Sequence, residues 1–119
     1  MKTSILVVED EENIRTALTR WFELRGFDAE QACDGLEAVQ MCDSKRYDII
    51  TMDLEMPRMN GVQAIGHIRE KYPDIPIVVL TGYLSHTEES SLAGASRVLA
   101  KPMPLRELEK VVRELIALE

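Results

Sequence analysis

Four short stretches of this 119-residue chain carry side chains suited to handling charge. Glu9, Asp10, Glu11 and Glu12 form an acidic run, Asp53 and Glu55 add two carboxylates, Thr81-Gly82 offers a hydroxyl, and Lys101-Pro102 brings an ammonium. Carboxylate oxygens are ligands for hard divalent cations, and a small site with few protein ligands suits Mg2+. A hydroxyl and an ammonium are donors for an anion. Taken as ionised, Glu9, Asp10 and Asp53 carry −3, which one divalent cation and Lys101 would neutralise. A turn that cradles phosphate on backbone N–H groups would be rich in Gly, Ser and Thr. An acidic run in that place repels a bare phosphate, so the pattern asks for a metal.

The elements that must position these residues follow from hydrophobic spacing. Ser4–Val8, Asp28–Ala32, Asp48–Met52, Ile75–Leu80 and Arg97–Ala100 read as strands, each followed by a segment of helical period. Ile14, Ala17, Leu18 and Trp21 mark the first helix, and Leu36, Val39 and Cys42 the second. Val62, Ile65, Ile68 and Tyr72 mark the third, a short stretch over Thr87–Ala93 the fourth, and Leu105 through Ile116 the last. Asp34 is a candidate N-cap with Glu37 three residues on, as in a capping box. This (βα)5 alternation predicts an α/β doubly wound three-layer sandwich of flavodoxin-like topology: a parallel five-stranded sheet with helices on both faces. The first, third and fourth strands are nearly continuous apolar runs, as expected for central strands buried on both faces. Asp28, Glu30, Gln31 and Arg97 place the second and fifth at the edges, which fits the order 2-1-3-4-5. In such sheets the functional crevice lies beyond the carboxyl ends of the strands. All four polar stretches fall there.

Composition narrows the partners. Fourteen Lys+Arg against 21 Asp+Glu give a formal net charge of −7, opposite in sign to the footprint that nucleic acid requires. Neither a polybasic membrane patch nor an apolar run long enough to span a bilayer is present. The start of the chain has no secretory signature. Cys33 and Cys42 make no Cys-x-x-Cys pair and read as small hydrophobes, as in a reducing, cytoplasmic setting. We expect one domain over residues 1–119, with no direct nucleic-acid or membrane contact. Glu11 and Glu12 read as a solvated first helical turn, and His67 and His86 as surface histidines.

Taken together, Ile5-Leu6-Val7-Val8-Glu9-Asp10-Glu11, Tyr47-Asp48-Ile49-Ile50 leading to Asp53, Met56-Pro57-Arg58-Met59-Asn60-Gly61, Val79-Leu80-Thr81-Gly82 and Lys101-Pro102 resemble the receiver domain of two-component response regulators. The resemblance spans the chain. It implies that Asp53 is a phosphoacceptor, taking a phosphoryl group from the phosphohistidine of a sensor histidine kinase or phosphotransfer protein. It implies Mg2+ held by Asp10 directly, by Glu9 through water, by Asp53 and by the Glu55 backbone carbonyl. Thr81 and Lys101 would hold phosphoryl oxygens, and the bond to Pro102 would be cis. Such a receiver is not a conventional enzyme: it catalyses its own aspartyl phosphorylation and dephosphorylation, then signals to an effector protein or to an output domain absent from this chain.

Two departures bear on the output. The family commonly has Tyr or Phe three positions before the lysine, and here that residue is Val98. The stretch from Thr81 to Lys101 is also short. Glu55 and Tyr83 occupy the positions that line the approach of hydrolytic water, and Tyr83 is the aromatic placed to substitute as a reporter. These departures leave open a phosphate-independent, receiver-like interaction module. A Mg2+ phosphohydrolase acting on outside substrates is disfavoured, because 119 residues leave no room for a cap over a substrate.

Overall fold

A computed structural model describes residues 2–82 and 94–118. Among them, five parallel strands alternate with four helices: β1 (Ser4–Val8), α1 (Glu12–Leu24), β2 (Asp28–Ala32), α2 (Gly35–Ser44), β3 (Ile49–Asp53), α3 (Gly61–Lys71), β4 (Ile77–Thr81), β5 (Arg97–Ala100) and α4 (Leu105–Ala117). The sheet order is β2-β1-β3-β4-β5, as predicted. The helix expected over Thr87–Ala93 lies outside the described residues.

The largely apolar central strands β1, β3 and β4 serve two cores at once, because successive side chains of a strand point to opposite faces. Leu6, Val8, Ile50, Met52, Ile77 and Val79 pack against Ala38 and Cys42 of α2 and Ala64, Ile65 and Ile68 of α3. Ile5, Val7, Ile49, Val78 and Leu80 pack against Leu18 and Phe22 of α1 and Leu108, Val112 and Leu115 of α4. Strands β2 and β5 leave residues exposed, as edge strands can.

Two local expectations need correction. The buried stripe of α1 is Leu18, Thr19 and Phe22; Ile14 is 38% exposed, and Ala17 is also exposed. Both line an open apolar groove with Met103 and Leu105, whereas the polar contact of α4 with α1, Glu109 on Trp21 and Arg25, lies toward the other end of α1. At α2 the Asp34 carboxylate accepts from the Glu37 N–H at 2.8 Å, as a cap should. The Glu37 carboxylate, however, accepts from the N–H of Cys33 rather than that of Asp34, at 2.7 Å. The complete capping box is at α3, where Asn60 and Gln63 bond each other's backbone N–H groups.

Register aligns the carboxyl ends of the inner strands. Val8 pairs with Met52, Asp53 with Leu80, and Thr81 with Ala100. Glu9, Asp53, Thr81 and Lys101 therefore emerge along one rim. The Lys101 N–H donates to the Thr81 carbonyl at 2.8 Å, carrying the pairing one residue past β5.

Candidate functional site

Asp53 closes β3 with its side chain 3% exposed. Glu9 follows β1 and is equally buried, whereas Asp10 is exposed. One carboxylate oxygen from each of the three lies within 4.8 Å of the others. Lys101 Nζ reaches into the cluster, 3.1 Å from Glu9 Oε1 and 3.2 Å from Asp53 Oδ1. Glu9 Oε2 accepts from the Glu11 N–H at 3.2 Å, and Arg15 donates to the Glu9 and Asp10 carbonyl oxygens. The acidic turn is thus braced from α1, with the Glu9 carboxylate buried and that of Asp10 exposed beside it.

Electrostatics at this rim are unfavourable without a cation. Burial, and then the neighbouring Glu9 carboxylate, push the Asp53 carboxyl up to about 7, although Lys101 pulls the other way. Burial presses the Lys101 ammonium down, but Asp53 and Glu9 outweigh it and keep it above the ordinary lysine value. Three hard oxygen donors with one ammonium leave a net −2 when all are ionised, which a divalent cation cancels. The donor set fits Mg2+.

The loop between β3 and α3 is held in place from α2. Arg58 adopts a left-handed backbone, φ 63°, unusual for a residue with a Cβ. Its guanidinium pairs with the buried Asp34 carboxylate, Nε to Oδ2 at 2.8 Å. Burial pushes Asp34 up, but the Glu37 N–H and Arg58 outweigh it and hold the carboxyl below the ordinary aspartate value. The Gly35 N–H donates to the Met59 carbonyl at 3.1 Å, and a Cβ on Gly35 would overlap that oxygen. Gly61 approaches β3 just as closely: a Cβ there would lie 2.5 Å from the Asp53 carbonyl oxygen. These contacts fix the segment carrying Glu55, whose N–H donates to Asp53 Oδ1 at 3.3 Å.

Thr81 is fully buried at the end of β4, and its hydroxyl donates to Glu55 Oε2 at 3.0 Å. The Lys101–Pro102 peptide bond is cis. Val98 pairs with Val79 and is partly buried against the core shared with α2 and α3. Tyr83 lies outside the described residues. His67 is exposed on α3.

Two features escaped the reading of the sequence. Glu109, on the helix read as a core stripe, is 6% exposed, and it accepts from Trp21 Nε1, Arg25 Nε and Arg113 Nε. The Arg58–Asp34 pair is the other. For Arg58 the only cue is a non-glycine in a Pro-x-Met-Asn-Gly turn. For Glu109 it is an acid four residues before Arg113.

Residues 5–113 match the response regulator receiver domain family. The chain belongs to this family. It is a receiver domain of two-component signalling and not a conventional enzyme. Response regulator MprA of Mycobacterium tuberculosis (strain ATCC 25618 / H37Rv) is 38% identical over 118 residues, which are 98% of this receiver and 51% of MprA. The receiver thus spans about half the length of that relative. The receiver domain of sensor histidine kinase PA1611 from Pseudomonas aeruginosa PAO1, solved with a magnesium ion in its active-site cleft, is 30% identical. It superposes with a TM-score of 0.92 over 98% of this receiver and 99% of that chain. TrrA from Thermotoga maritima, in complex with Mg(2+)-BeF, is 36% identical with a TM-score of 0.88 over 97% and 99% of the two chains. No helix among the described residues is long and apolar enough to cross a membrane.

Proposed function

We propose that Asp53 accepts a phosphoryl group from the phosphohistidine of a sensor histidine kinase or phosphotransfer protein. The phosphorylated receiver then acts through an effector protein or an output domain. The observation that carries this reading is the buried Asp53 carboxylate, clustered with Glu9 and Asp10 and 3.2 Å from Lys101 Nζ. Glu9, Asp10, Asp53 and the Glu55 backbone carbonyl would hold Mg2+, which when bound supplies positive charge to phosphoryl oxygens.

In the transfer, an Asp53 carboxylate oxygen forms a P–O bond as the P–N bond breaks, and the imidazole leaves with the electron pair and takes up a proton. Charge develops on the three equatorial phosphoryl oxygens. Lys101 stabilises one such oxygen from its place beside Asp53, and the Thr81 hydroxyl supplies a donor from the neighbouring strand. The contacts from Arg58, Gly35 and Gly61 keep the acceptor loop rigid, so the nucleophile is positioned before the donor arrives. Attack by water on the phosphorus, breaking the bond to the Asp53 oxygen, would release inorganic phosphate and restore the carboxylate, with Glu55 beside the approach.

Asp53→Asn tests the assignment. Incubation with acetyl phosphate and Mg2+ should add one acid-labile phosphate to the wild type and none to the variant. An acid-labile phosphate on the variant would remove Asp53 from this role.

A further inference from the structure

Two donors at the carboxyl end of β4, on the rim that carries Asp53, are already engaged by one side chain. The Thr81 hydroxyl donates to Glu55 Oε2 at 3.0 Å, and the Gly82 N–H donates to Glu55 Oε1 at 3.2 Å. Both oxygens of a single carboxylate are therefore spread across two donors on consecutive residues. A carboxylate and a phosphoryl face offer such donors the same thing, a pair of anionic oxygens. The Glu55 N–H is meanwhile on Asp53 Oδ1, which ties this residue's backbone to the acceptor while its side chain spans to β4.

A phosphoryl group on Asp53 would carry roughly −2, in place of the carboxylate's single charge. Its oxygens and the Glu55 carboxylate would then compete for the same hydroxyl and N–H at short range. We propose that the Glu55 carboxylate is a built-in occupant of the anion subsite formed by the Thr81 hydroxyl and the Gly82 N–H, and that an incoming phosphoryl group must displace it. The inference rests on the reading of Asp53 as acceptor. Glu55 is only half-buried, so rotation of its side chain moves the carboxylate into solvent without disturbing the loop backbone. The side chain thus slows phosphoryl entry. Its departure also moves a negative charge on the receiver surface when the site fills.

Beryllofluoride with saturating Mg2+ is the probe, titrated calorimetrically into wild type, Glu55→Ala and Glu55→Asp. Removing the occupant should tighten binding in Glu55→Ala about tenfold, equivalent to ~1.4 kcal/mol. Glu55→Asp keeps the charge but is one methylene too short to span both donors, so it should gain nearly as much. In EDTA, without the probe, the Gly82 amide should exchange faster in Glu55→Ala than in wild type by residue-resolved NMR. Binding no tighter in Glu55→Ala, or an unchanged Gly82 exchange rate, overturns the proposal. So does a Glu55→Asp variant that binds like wild type, since simple charge repulsion would then explain the gain. Failure of the underlying reading would look different: the wild type would not bind beryllofluoride, or Asp53→Asn would bind it equally well.

Discussion

In the metal-free protein, Asp53→Asn should stabilise the fold by an amount that grows with pH. Asp53 is 2% exposed, and burial and Glu9 push its carboxyl from 3.8 up to about 7. Between those values the folded state holds a proton that the unfolded chain has lost. Stability therefore falls as pH rises through that window. Once pH exceeds 7 the accumulated loss is on the order of 4 kcal/mol, at about 1.4 kcal/mol per pH decade. Asparagine has the same shape, does not titrate, and can still accept from the Glu55 N–H. Lys101 keeps its partner Glu9 at 3.1 Å. The stability gap between variant and wild type should widen by about 3 kcal/mol between pH 5 and pH 8. Urea unfolding in EDTA at the two pH values measures it directly. Millimolar Mg2+ at pH 8 should narrow the gap, because metal bound to the folded wild type stabilises it by mass action. A gap that stays constant from pH 5 to pH 8, or shrinks, would refute the view that Asp53 is held in an unfavourable charged state.

Asp10→Asn should lower the rise in melting temperature that Mg2+ produces in the wild type; equal rises would remove Asp10 from the ligand set. Gly66→Ala, at an exposed position inside α3 where a Cβ meets nothing within 4 Å, should stabilise the protein by about 0.5–1 kcal/mol in a thermal melt. Gly61→Ala should do the reverse and cost about 1–3 kcal/mol, because its Cβ meets the backbone of Asp53 and Leu54, which cannot step aside. Glu109→Ala should cost about 1–2 kcal/mol at pH 7, since Arg25 and Arg113 are each about half exposed and regain water. Burial pushes Glu109 up, but Arg113, Arg25 and Trp21 outweigh it and leave the carboxyl below its ordinary 4.5. Its contribution is therefore present above pH 4.5 and lost as pH falls through the depressed value, so the deficit should close in acid-range urea titrations.

Strand order and the rim of charged residues were legible in the amino-acid sequence because both follow from one-dimensional patterns. A strand buried on two faces must be apolar at nearly every position, and Ile5–Val8, Ile49–Met52 (with Thr51 the one polar residue) and Ile77–Leu80 are. Edge strands tolerate Asp28, Glu30 and Arg97 because one side lacks a neighbouring strand. Once the parallel order is known, the residues at the carboxyl end of each strand must stand on the same rim, which groups Glu9, Asp53, Thr81 and Lys101.

Which of these groups touch was decided only by the tertiary structure. Glu55 could have faced water, Asp53 or Thr81. It bonds Thr81 and Gly82 because the β3–α3 loop is pinned by Arg58 to Asp34 and by the close approaches of Gly35 and Gly61. Glu109 sits one turn beyond Leu105 on an amphipathic helix, and its burial depends on Trp21 and Arg25 being brought against it from α1. The groove at Ile14 and Ala17 likewise depends on Met103 and Leu105 being brought beside α1. Periodicity reports which face of an element is turned inward, because solvent acts on every residue of that face alike. The partner of one polar side chain is set by where several separate segments come to rest, and no local pattern in the sequence carries that information.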